Sequence, residues 1–61
     1  MFKVGDRIHI DVDDEQWGRV ASNATIVEVH SNFLLVLADS VRARVVIESV
    51  NGLYEGIYFT N

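Results

Sequence analysis

Apolar and polar positions alternate along much of this chain. From Arg7 to Val12 the alternation is strict, with Ile8, Ile10 and Val12 on one side and Arg7, His9 and Asp11 on the other. Successive side chains of a strand point to opposite faces, so a period of two predicts a half-buried β-strand. From Ala24 to Ile47 the sequence reads ATIVEVHSNFLLVLADSVRARVVI and holds most of the β-branched and aliphatic residues. This stretch predicts three consecutive strands with two tight connections.

The first connection falls at Ser31-Asn32. A two-residue turn there sets His30 opposite Phe33, Val29 opposite Leu34 and Val27 opposite Val36. Thr25, Val27, Val29, Leu34, Val36 and Ala38 then face the core. Ile26, Glu28, His30, Phe33, Leu35 and Leu37 face outward. A three-residue connection swaps the second strand, turning Phe33, Leu35 and Leu37 inward. Either register leaves a surplus of apolar side chains outside. The second connection is Asp39-Ser40, whose side chains bond locally to the backbone and favour turns. The strand after it sets Val41, Ala43, Val45 and Ile47 inward, with Arg42, Arg44 and Val46 outward.

The flanks are less regular. Gly5-Asp6 is a turn pair ahead of the first strand. Asp13 to Asn23 has no clear period and contains Gly18, which predicts a long loop after strand 1. Asn51-Gly52 is the strongest turn signal in the chain. A long hairpin about it would set Glu48 opposite Glu55, a repulsive pair, so a bend is expected instead. Glu48 to Val50 is expected to end the fourth strand or to make a short helical turn. Ile57-Tyr58-Phe59 predicts a short last strand.

At 61 residues the chain is expected to be one domain, residues 1–61. A chain of this length buries about 6,000 Å² on folding, roughly 60% of its unfolded surface. With about 60% of that area apolar, burial contributes about 90 kcal/mol at ~25 cal/mol per Å². Conformational entropy opposes it with about 90 kcal/mol at ~1.5 kcal/mol per residue. The terms cancel, and with no cysteine there is no disulfide to tip them. Regular strands or self-association must supply the margin. The absence of cysteine fits a reducing compartment. No apolar run follows Met1, and Val29 to Ala38 is too short to span a bilayer. A cytoplasmic protein with no membrane contact is expected.

Charge sharpens the picture. The net charge is −4, and Asp11, Asp13, Asp14 and Glu15 place four negative charges within five residues. The remaining five acids balance the five bases, so the whole imbalance lies in one segment. Trp17 follows it closely.

The order of elements, opening with Lys3-Val4-Gly5-Asp6-Arg7-Ile8, resembles the SH3-like small β-barrels: Src-homology-3 domains, KOW and Tudor modules. The resemblance covers nearly the whole chain and is one of pattern, since no single motif is diagnostic. It implies an all-β, five-stranded SH3-like barrel serving as a binding module. Trp17 lies in the loop rather than at a strand start, so proline-peptide specificity does not carry over. The basic face of KOW modules is missing. An OB-type barrel is the alternative, for which the chain is short.

Chemistry-bearing motifs are sparse. Counted from Asp11, an EF-hand loop needs Gly at its sixth position and Glu at its twelfth, where this chain has Gln16 and Ser22. His9 and His30, without cysteine or close spacing, do not make a metal motif. No serine sits in a nucleophile motif, and catalysis and cofactors are not expected. Five bases against nine acids argue against an autonomous nucleic-acid binder. Two features point to a protein partner instead. One is the acidic segment Asp11, Asp13, Asp14, Glu15 with Trp17. The other is the outward apolar set Ile26, Phe33, Leu35, Leu37 and Val46, which serves a protein partner or a homodimer. The competing class is a nucleic-acid-associated factor: a KOW- or Tudor-like binder, or an acidic inhibitor of a nucleic-acid-handling enzyme, of bacterial or phage type.

Overall fold

The computed structural model describes residues 2–59. They form one antiparallel sheet of five strands. In chain order these are β1 (Arg7–Asp14), β2 (Gly18–Val29), β3 (Phe33–Ala38), β4 (Ala43–Glu48) and β5 (Ile57–Phe59). Their order in the sheet is β4-β3-β2-β1-β5. β2, β3 and β4 make the expected meander, and β5 returns to pair with β1, Ile8 opposite Phe59 and Ile10 opposite Ile57.

The inner face is built as alternation dictates. Ile8, Ile10, Val20, Ala24, Ile26, Leu34, Val36, Ala38, Val45 and Ile47 are buried together. Phe2 stacks on Phe59 at 5.2 Å and meets Tyr54 edge-on at 5.4 Å, adding an aromatic cluster beside this core.

The long loop expected over Asp13 to Asn23 is absent. β1 runs to Asp14, and only Glu15, Gln16 and Trp17 separate it from β2. The Asp14 carboxylate accepts the Gln16 and Trp17 N–H groups at 2.9 and 3.0 Å, and Gly18 closes the turn at φ 71°. The alternation through β2 is real but written in small residues: Val20, Ser22 and Ala24 inward, Arg19, Ala21 and Asn23 outward. Ser22 is buried without penalty because its hydroxyl donates to Asn23 O (2.7 Å) and accepts from Ser40 N–H (2.9 Å).

The β2–β3 connection is the two-residue turn. His30 N–H donates to Phe33 O at 2.9 Å, and Val29 lies opposite Leu34. Leu34, Val36 and Ala38 are buried, as that register requires. The β2 side departs from expectation through a bulge at Val27. Glu28 pairs with Leu35, and the next pair is Ile26 with Val36. One extra residue reverses which side chains face the core. Ile26 is therefore fully buried, and Thr25 and Val27 are half-buried; Val29 keeps its place opposite Leu34 but is exposed at the end of the hairpin. The β3–β4 turn spans Asp39 to Arg42, so β4 begins at Ala43, after Val41 and Arg42.

β4 and β5 end the sheet and do not hydrogen-bond to each other among the described residues. Asn51-Gly52 makes a bend closed by the Val50–Leu53 bridge, not a long hairpin.

Candidate functional site

The sheet is curled strongly enough that the far end of β1 meets the far end of β4, although β2 and β3 lie between them in the hydrogen-bonded order. Where these ends approach, a groove of about 560 Å³ opens. Val12, Asp13, Asp14 and Glu15 form one wall, Val46, Ile47 and Glu48 the other, and Val50 and Glu55 complete it. Consecutive residues of a strand point to opposite faces, so a groove touched by runs from both strands lies along strand edges. It is the open seam of the curled sheet.

Local structure fixes each wall. β5 pairs with β1 only from Ile8 to Ile10, and Asp11 N–H then donates to Gly56 O at 2.8 Å. A Cβ on Gly56 would collide with the Asp11 carbonyl oxygen, so the glycine permits this close crossing. The chain diverges there and leaves the stretch from Val12 to Asp14 bare on that side. The Asp14 cap holds the hairpin tip. The Asn51-Gly52 bend carries Glu55 back to the groove.

The seam is electrostatically one-sided. Five acidic residues line it, Asp13, Asp14, Glu15, Glu48 and Glu55, with no base among the lining residues. None of the five is in an ion pair among the described residues. The other four acids of the chain each have a partner, as does Asp14 of the seam in the Gln16 and Trp17 N–H groups. Asp11 takes a two-pronged contact from Arg19, Nε to Oδ1 and an NH2 group to Oδ2, both at 2.9 Å. Asp39 is held likewise by Arg7 at 3.1 and 2.7 Å. Glu28 meets His30 at 2.6 Å, and Asp6 accepts the Lys3 N–H at 3.0 Å. The guanidinium hydrogen bonds hold the Asp11 and Asp39 carboxyls below the usual carboxylate range and raise the two arginines in turn. The net charge of −4 is thus expressed at the seam.

Among the described residues no three His, Asp or Glu side chains gather closely enough to hold a metal ion. The seam carboxylates are strung along a groove with Val12, Val46, Ile47 and Val50 between them. That arrangement suits an elongated cationic ligand with apolar parts.

The residues singled out by sequence are divided by the fold. Asp13, Asp14 and Glu15 line the seam. Asp11 faces the outer side of the β1–β2 hairpin, paired with Arg19. Trp17 stands at the hairpin tip, 42% exposed, and is not part of the groove wall. Phe33, Leu35, Leu37 and Val46 share the outer face of β3 and β4, with Leu35 opposite Val46. Ile26 is 0% exposed and leaves that set, turned inward by the bulge. Glu48, Glu55, Val12 and Val50 were not singled out. The only hint was the repulsion expected between Glu48 and Glu55. No protein-family model, curated protein or solved structure matches this chain. No helix among the described residues is long and apolar enough to cross a membrane.

Proposed function

We propose that the protein is a non-enzymatic protein-interaction module of SH3-like barrel build, and that its acidic seam receives a basic segment of a protein partner. The barrel reading rests on topology: a β2–β4 meander, a bend, and a last strand returning to β1. The functional reading rests on one observation, the five acidic residues lining a partly apolar groove with no base among the lining residues. Such a groove focuses a negative field, attracts cations and repels phosphate backbones. Arg7 and Arg19, two of the five bases, are already engaged with Asp39 and Asp11. The outer apolar strip of Phe33, Leu35, Leu37 and Val46 provides a second contact area beside the groove.

Calorimetric titration of a peptide alternating Lys and Val tests the reading. Binding should be measurable at low ionic strength, weaken as salt rises, and vanish for the D13N/D14N/E15Q/E48Q variant. Equal affinity for that variant, or no binding by the wild type at low salt, contradicts it.

A further inference from the structure

β4 is a sheet edge of a kind that folded chains usually protect. It has six residues, carries no proline, glycine or bulge, and no strand covers its outer side among the described residues. The other edge, β5, has only three residues. Bare edges of regular strands pair with other chains unless charge, bulges or covering segments prevent it.

The hydrogen-bond phase of β4 is fixed. Ser49 N–H donates to Asn32 O at 2.9 Å, continuing the β3–β4 ladder. Pairs alternate along an antiparallel ladder, so Ile47, Val45 and Ala43 direct their backbone groups to β3. Arg44, Val46 and Glu48 therefore direct theirs to the open edge. Their side chains share the outer face and are exposed, Val46 at 52%. Neither Arg44 nor Glu48 is in an ion pair among the described residues.

This edge is self-complementary, and we propose that two copies of the chain pair antiparallel through β4 about a two-fold axis at Val46. In that register Val46 meets Val46 of the second copy, and all three outward-directed residues meet as hydrogen-bonded pairs. Arg44 of each copy lies opposite Glu48 of the other. Directly opposed residues of unlike charge stabilise a pair of strands, and like charges destabilise it. The outer apolar strip continues across the axis, since Leu35 is the neighbour of Val46 in each copy. The two sheets become one, and both bare edges disappear. Two-fold closure also prevents further growth, because each copy has only one such edge among the described residues. The inference stands on the β4 edge and not on the reading of the seam. Val46 and Glu48 belong to both surfaces, so pairing closes one wall of the groove, and the two contacts exclude one another.

Charge swapping tests the register. Wild-type protein should sediment as a dimer at equilibrium and dissociate on dilution. R44E sets Glu against Glu across the axis, and E48R sets Arg against Arg. Each alone should weaken association about tenfold or more. An equimolar mixture of the two should regain the dimer mass, because every opposed pair is then of unlike charge. The double variant R44E/E48R should dimerise by itself. Circular dichroism of each variant confirms that the sheet is retained, as expected for exposed positions. A wild type that stays monomeric across the concentration series overturns the proposal. So do single variants that associate as tightly as wild type, or a mixture that remains monomeric.

Discussion

On the outer face of the β1–β2 hairpin, Asp11 is clasped by Arg19, and beside it Arg7 reaches across to Asp39. A few residues further along the same strand, Asp13, Asp14 and Glu15 line the seam with Glu48 and Glu55, and no base is among the lining residues, although Arg19 opposite Asp13 acts on one of them from the hairpin face. The residue types are the same, and the surroundings differ. Paired charges on a hairpin face tie strands together and present a nearly neutral surface. Gathered like charges contribute little to folding through their charge, Asp14 serving as a turn cap, and are tolerated because water and ions screen them. What they provide is a field, which acts on whatever approaches. The contrast separates a face that braces the fold from a face that, under the proposed function, is left for a partner.

Both faces depend on the core, so the largest effect should come from disturbing it. Ile26→Ala should cost about 2–5 kcal/mol, the usual range for removing a buried aliphatic side chain, and urea unfolding midpoints measure it. A change near zero would mean that the bulge at Val27 does not set the inward face. Gly56→Ala should follow closely, at about 2–4 kcal/mol, since it combines a φ of 78° with a collision against the Asp11 carbonyl. That variant frees β5 from β1 and should loosen the seam wall more than the braced face. Amide exchange resolves the two regions.

The third test separates the faces by charge alone. D13N/D14N/E15Q should leave the melting temperature unchanged or raise it slightly, because repulsion is relieved and Asn retains an oxygen to cap the turn. A large drop would show that these carboxylates hold the fold together. The smallest effect belongs to the braced face. Arg7 keeps the Asp39 carboxyl below its usual range in the folded chain, while unfolding returns it to about 3.9. The stabilisation is therefore complete above that value and is lost as pH falls through it toward the folded pKa. Asp39→Asn should remove this part of the acid dependence, giving a shallower decline of stability at low pH. An unaltered acid limb would mean that the pair does not contribute.

How far the sequence carries the fold follows from side-chain size. Ile8, Ile10, Leu34, Val36, Val45 and Ile47 are bulky and regularly spaced, and their strands were legible. Val20, Ser22 and Ala24 have the same spacing, but a serine and an alanine carry little hydrophobic signal, so the sequence alone predicts a loop at the start of β2. The bulge at Val27 has no marker, since a β-branched residue stands where a glycine would have given warning. The acidic wall was legible as a local cluster. Its other half was not, because Glu48 and Glu55 arrive through the curl of the sheet and the bend at Asn51-Gly52, and proximity of that kind is not encoded locally. Trp17 drew attention through its size, yet the fold leaves it at a hairpin tip away from the groove.

The most direct test of the seam as the partner site is residue-resolved. A ¹⁵N-labelled sample of the whole chain would be titrated with the alternating Lys–Val peptide at low salt, and amide shifts followed by NMR. The largest changes should fall on Val12 to Glu15, Val46 to Glu48, Val50 and Glu55, while the amides of Arg7, Asp11, Arg19 and Asp39 remain nearly still. Shifts centred on the Arg7–Asp39 and Asp11–Arg19 face, or spread evenly over all acidic residues, would contradict the account.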